Sequence, residues 1–106
     1  MMYNYQIYIL YNIFDNELKN TYIGKTRNWG VRKYQHKRRC NDEHDKGYNL
    51  KVYKYIRKTG GFENWKMKKL VDISVEDKKD KLVNNMELFY IELYNSKLNT
   101  AKPIEW

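Results

Sequence analysis

Two short stretches decide the fold: Tyr5-Gln6-Ile7-Tyr8-Ile9-Leu10-Tyr11 and Thr21-Tyr22-Ile23-Gly24-Lys25-Thr26. The first is almost wholly aromatic and branched aliphatic, the composition of a strand on a half-buried pleated surface. The connection from Asn12 to Asn20 carries Asp15-Asn16 and polar neighbours, ordinary turn chemistry, so the pair reads as a hairpin. Strand neighbours alternate faces, which puts Tyr8 with Gln6 and Leu10, and Tyr22 with Gly24. A hairpin can therefore bring the two phenols to one site.

The reading extends outward from there. Asn28 is placed to cap a helix over Trp29 to Cys40, followed by a charged loop from Asn41 to Tyr48. Asn49 is expected to cap a second helix, Leu50 to Lys58, which Gly60-Gly61 would end. Phe62 to Asp72 fits a third strand. Ser74 is expected to cap a long helix from Val75 to about Tyr94, with Asp77 at the capping-box position. Leu82, Val83, Met86, Phe89, Tyr90 and Leu93 fall on one arc of that helix, the expected buried stripe, with Lys81, Asn85 and Glu92 opposite. The sum is ββααβα, a small α/β (α+β) sandwich of three strands with helices packed on it, expected as one domain over residues 1–106.

Composition narrows the partners. The net charge is +8 and the pI about 9.5, which favours a polyanion, either nucleic acid or an anionic membrane surface. No apolar run approaches the ~20 residues of a membrane span. The start, Met1-Met2-Tyr3-Asn4, does not read as a signal peptide, and a lone Cys40 forms no internal disulfide. An intracellular setting is the default expectation, and the richness in Lys, Asn, Tyr and Ile suggests a viral, phage or AT-rich microbial origin.

The strongest local charge lies between Lys25 and Arg39, where Lys25, Arg27, Arg32, Lys33, Lys37, Arg38 and Arg39 occur with no acid among them. A solvated helix face explains such runs in general. Seven like charges repel, however, and a phosphate backbone would relieve them, with Trp29 and Tyr34 interleaved for base contact. Arg32 and His36 stand one helical turn apart. The guanidinium fork suits a phosphoryl group, and the imidazole suits proton transfer or phosphate binding, unless it is an ordinary surface histidine. A tyrosine at pKa about 10 serves as a base only if cations such as Lys25 or Arg32 stabilise the phenolate. Glu87, at the margin of the apolar arc, needs an arginine, a hydrogen bond or a metal; a salt bridge to the first helix and a site for Mg²⁺ are both open. His36, Cys40 and His44 imitate a zinc set, but positions eight apart on one helix lie about 12 Å apart and cannot share an ion.

Taken in order, these residues resemble the GIY-YIG endonuclease family nearly end to end. Tyr22-Ile23-Gly24 is intact, Arg32 follows its tyrosine by ten residues and His36 by four more, and Lys25 is similar to a lysine of many members. Asn49-Leu50-Lys51, Ile56-Arg57-Lys58-Thr59-Gly60-Gly61 and Phe62-Glu63-Asn64-Trp65 look like the family's second helix and the start of its third strand. Glu87-Leu88-Phe89-Tyr90-Ile91 resembles the metal-binding glutamate segment, and Asn99 in Leu98-Asn99-Thr100 the asparagine that closes the site. Gln6 replaces the first glycine, the connection between the motifs is longer than usual, and Tyr48 or Asn49 stands where some members place a second histidine.

The resemblance implies the family's three-stranded antiparallel sheet and one-metal hydrolysis of a phosphodiester in DNA. Glu87 would hold Mg²⁺ or Mn²⁺, Tyr8 (or, as second choice, Tyr22) would activate water, and Arg32 would stabilise the transition state. Lys25 would depress the tyrosine pKa, His36 assist proton transfer and Asn99 orient the site. Lys25, Arg27, Lys33, Lys37, Arg38 and Arg39 would track the nucleic acid. Family members usually carry a separate recognition domain, so weak or structure-dependent specificity is expected, or a partner that supplies it, with the chain a monomer or transient dimer. The alternative is a catalytically silent nucleic-acid-binding module of the same fold. A peripheral membrane binder finds no long basic amphipathic helix to support it.

Overall fold

In the computed structural model, which describes residues 1–99, three strands form one antiparallel sheet in the order β2-β1-β3. Strand β1 runs from Tyr3 to Asn12, β2 from Tyr22 to Thr26 and β3 from Trp65 to Val75. Helix α1 spans Trp29–Asn41, α2 Lys51–Lys58 and α3 Lys81–Tyr94, giving the expected ββααβα order. In the β1–β2 connection the Asn12 side chain accepts from the Phe14 amide and Asp15 from that of Glu17, so local side-chain bonds hold the turn.

Each sheet face carries its own core. Tyr8, Leu10 and Trp65 pack under α1 and α2 with Cys40, Val52, Tyr53 and Ile56. Tyr5, Ile7, Ile9, Ile23, Ile73 and Val75 pack against Val83 of α3. A bulge in β3 divides the two. Ile7 pairs with Val71 but Tyr8 with Lys69, so Leu70 is extra. That residue reverses the alternation of β3: Trp65 and Met67 feed one core, Ile73 and Val75 the other, although all four are odd-numbered.

Asn28 caps α1 as expected, its side chain accepting from the Val31 amide at 3.2 Å. Three expectations are corrected. Asn49 does not cap α2; the helix starts after Leu50 with no side-chain cap. Phe62–Asn64 is a 3-10 turn, and the third strand begins at Trp65. Ser74 does not begin a helix, because β1 is long enough to pair Asn4 with Ser74 and Tyr3 with Val75. The Ser74 hydroxyl lies 2.6 Å from Asn4 Oδ1, Val75 is buried, and Asp80 caps α3 through the Leu82 amide at 2.8 Å.

The buried face of α3 is rotated roughly a quarter turn from the apolar arc. Val83, Asn84 and Glu87 are buried, whereas Leu82, Phe89 and Leu93 are exposed. That face packs Met86, Tyr90, Ile91 and Tyr94 on the second core and brings Asn84 and Glu87 to Lys25 of β2, leaving three large apolar side chains to solvent. Among the described residues no helix is long and apolar enough to cross a membrane.

Candidate active site

The site is built around the edge strand β2. Tyr8 stands directly opposite Gly24 in the β1–β2 ladder, and Leu10 opposite Tyr22. The phenol of Tyr8 lies across Gly24 so closely that a β-carbon there would sit 2.3 Å from its oxygen. The glycine of the Tyr-Ile-Gly stretch is therefore required by close approach. Gln6, by contrast, occupies regular ladder positions opposite Thr26 and Asp72, so no glycine is needed where it stands.

Tyr8 is completely buried and at the centre of a hydrogen-bonded chain. Arg32 Nε donates to its oxygen at 3.0 Å, and His36 Nε2 lies 2.6 Å from the same atom. The other ring nitrogen, His36 Nδ1, lies 2.8 Å from the hydroxyl of Tyr53. Trp29 meets the Tyr8 ring edge-on at 5.8 Å, and Tyr22 meets the His36 ring edge-on at 5.7 Å. Helical spacing explains this grouping, since Trp29, Arg32 and His36 share the inner face of α1.

Burial sets the protonation states. His36 has no exposed surface; desolvation first, then the charges of Arg32 and Arg39, push its pKa down to about 3. The ring is neutral and carries one proton. Two hydrogen-bond orders satisfy it: Tyr8 donating to Nε2 while Nδ1–H donates to Tyr53, or Tyr53 donating to Nδ1 while Nε2–H donates to Tyr8. Desolvation, aided by Tyr22, raises the Tyr8 phenol above its usual range against the pull of Arg32, so it is protonated at neutral pH. Tyr22 is raised too, by desolvation and by the charge of Glu87, with Arg32 opposing. Tyr22 keeps solvent contact, which Tyr8 lacks.

Alternation along β2 sends Lys25 to the opposite sheet face, where α3 packs. Its ammonium donates to Asn84 Oδ1 and lies 3.8 Å from Glu87 Oε1. Glu87 is raised by desolvation and lowered by Lys25 and Arg32, and its own charge reaches Tyr22. The two halves thus meet electrostatically over the edge strand, with phenols and guanidinium on one side and the carboxylate on the other. The charges acting on Tyr8 come from Tyr22, Arg32 and Tyr53, so the cation beside that phenol is Arg32.

Asn99 closes the open edge of β2. Its side chain accepts from the Ile23 amide at 2.9 Å and donates to the Ile23 carbonyl at 2.7 Å, an amide pair in place of a further strand. Ser96 Oγ, 2.6 Å from Asn99 Oδ1, holds that amide in place. Thr100, quoted with it above, lies outside the described residues.

The basic run divides. Lys33, Lys37 and Arg38 project to solvent along α1, and Arg27 lies across the rings of Tyr3 and Tyr5. Arg38 is answered by Asp42 and Asp45, and Arg39 by Asp45, so acids of the following loop balance the end of the run. Helix α1 ends at Asn41, which leaves His44 exposed in the loop while Cys40 is core and His36 is engaged by two tyrosines.

Sequence reasoning missed Tyr53 and Asn84, and it assigned Trp29 to base contact where the structure packs that ring edge-on against Tyr8. Tyr53 was detectable as the polar-tipped member of the Val52, Tyr53, Ile56 stripe of α2. It, and not Tyr48, touches His36; Tyr48 lies beneath the Arg57 guanidinium at 3.6 Å.

The oxygen chemistry of Glu87 fits a hard divalent cation. One largely buried carboxylate already carries a cationic neighbour, and Mg²⁺ is commonly held by one or two carboxylates with phosphate and water completing its shell. Among the described residues, no three His, Cys, Asp or Glu side chains converge to form an all-protein cage.

A family of known domains, the GIY-YIG catalytic domain, matches residues 4–100. No curated protein and no solved structure matches the chain.

Proposed function

The chain belongs to the GIY-YIG catalytic-domain family, a nuclease-type domain, and from that premise we propose that it is a metal-dependent DNA endonuclease. The observation that carries this reading is the junction over β2: Arg32 bound to Tyr8 and acting on Tyr22, with the Glu87 carboxylate of α3, across the edge strand, coupled by charge to Tyr22 and Arg32.

Tyr22 is the group that activates the attacking water. It is partly exposed, whereas Tyr8 is sealed and its oxygen already holds Arg32 and His36. Tyr8, His36 and Tyr53 act behind it, fixing the Arg32 fork so that it can meet the scissile phosphate. His36, neutral and buried, works through Tyr8 and makes no direct phosphate contact. Asn99 keeps the Tyr22-Ile23-Gly24 backbone in register. Glu87 would hold one Mg²⁺ or Mn²⁺, which when bound would supply Lewis-acid stabilisation of charge on the phosphodiester. Neutralising Glu87 also removes one of the charges that hold the Tyr22 phenol up. Lys33, Lys37, Arg38 and Arg27 meet the DNA backbone beside the site, and sequence preference is weak or supplied by a partner.

The test is nicking of supercoiled plasmid with Mg²⁺, using wild-type protein, an EDTA control, Glu87→Ala and Arg32→Ala. Metal-dependent cutting, lost in Glu87→Ala and reduced about 10²–10³-fold in Arg32→Ala, supports the reading. Salt-dependent DNA binding without cutting would favour the silent binding module, for which the ammonium already on Glu87 is the supporting observation.

A further inference from the structure

Helix α3 carries an inward-facing polar centre at a place where its sequence offers apolar alternatives. Leu82, Phe89 and Leu93 are about half exposed, while Asn84 is 2 % and Glu87 9 % exposed. Turning an amide and a carboxylate inward while three large apolar side chains face water is unfavourable unless the polar pair is satisfied. Asn84 and Glu87 stand three residues apart, hence on neighbouring positions of one helix face. One cation bridges the two: Lys25 Nζ donates to Asn84 Oδ1 and lies 3.8 Å from Glu87 Oε1. An ammonium is donor-only, so it fixes the amide with its oxygen toward the cation.

We propose that Asn84 Oδ1 and Glu87 Oε1 together form the cation seat of the site, that Lys25 holds it in the metal-free protein, and that a divalent ion binds by displacing Lys25. The inference rests on the nuclease reading of Glu87 and extends it by a second protein oxygen and a built-in competitor. An amide oxygen beside a carboxylate is a suitable partial set for a hard divalent cation. Two positive groups cannot share those oxygens, since their mutual repulsion in a partly desolvated site exceeds what either gains from sharing. Lys25 therefore keeps Glu87 neutralised until the ion arrives, which explains how a largely buried carboxylate is tolerated at the edge of the sheet.

The experiment is a Mn²⁺ titration without nucleic acid, following loss of the free-ion EPR signal, on wild type, Lys25→Met, Lys25→Met with Asn84→Ala, and Glu87→Gln. Lys25→Met should bind one ion at least about tenfold more tightly than wild type, the worth of one partly buried ion pair and hydrogen bond no longer displaced. Adding Asn84→Ala should reverse most of that gain. Wild-type affinity retained in Glu87→Gln would overturn the nuclease reading's metal assignment itself. Loss of binding in Glu87→Gln with no gain in Lys25→Met, or no binding in either protein, would leave that assignment and overturn this inference alone. A measurement on the unsubstituted lysine covers misfolding of the variants. The Lys25 ammonium resonance in ¹⁵N-edited NMR, assigned by its absence in Lys25→Arg, should shift on saturation with Mg²⁺; an unmoved resonance overturns the proposal.

Discussion

Acidification should destabilise the protein through His36, well before the general acid transition. The ring is fully buried, and its pKa falls from 6.5 to about 3 in the folded state. The sign follows from which state binds the proton. Between those two values the unfolded chain takes up a proton on this ring and the folded chain does not, so acid favours unfolding. The stabilisation is fully present above pH 6.5, starts to fall there, and is lost by pH 3. Linkage makes the loss about 2 kcal/mol at pH 5 and about 4 kcal/mol at pH 3, a large share of the stability of a small domain. Urea unfolding followed by tryptophan fluorescence at pH 7.5 and pH 5.0 measures it. His36→Gln, whose amide can address both tyrosines without titrating, isolates the ring from the carboxylates. Wild type should lose about 2 kcal/mol more than the variant across that interval. Equal losses in the two proteins would show that the ring is not held neutral, and the argument for the Tyr8–His36–Tyr53 chain would fail.

Other substitutions probe the same architecture. Gly24→Ala, whose new methyl would stand 2.3 Å from the Tyr8 oxygen, should cost about 1–3 kcal/mol in denaturant unfolding and abolish plasmid nicking. Asn99→Ala removes both hydrogen bonds to Ile23 and should speed amide exchange at Ile23 while costing about 1–3 kcal/mol. Asp80→Ala should cost about 1 kcal/mol as loss of a true helix cap, whereas Ser74→Ala, on an exposed strand position, should change the melting midpoint little.

The elements legible in the sequence are those whose signals are local. The aromatic and β-branched run around Tyr8, the cap at Asn28 and the glycines that end α2 each act within a few residues, and the structure follows them. The order of strands and helices followed from the same signals, and so did the turn that brings Arg32 and His36 to one face. Period-two alternation put Tyr8 on one face with Leu10 and Tyr22 with Gly24, and the ladder sets those pairs against each other, Tyr8 opposite Gly24 and Leu10 opposite Tyr22.

What the tertiary structure decided depends on partners distant in the chain. The true start of α3 was set by β1, 70 residues earlier, because pairing Asn4 with Ser74 extends a strand through a residue whose local chemistry favours a cap. The face that α3 buries depends on what it meets in the fold: the second core takes Val83, Met86, Tyr90 and Ile91, and Lys25 takes Asn84 and Glu87 beside them. The bulge at Leu70 reassigned Ile73 and Val75 to the second core, a change of phase that no pattern of hydrophobicity announces. Those same long-range contacts sealed Tyr8 and left Tyr22 with access to water. Residue types and spacing named the participants, and packing around the edge strand assigned their roles, because burial and proximity of charge are properties of the folded chain alone.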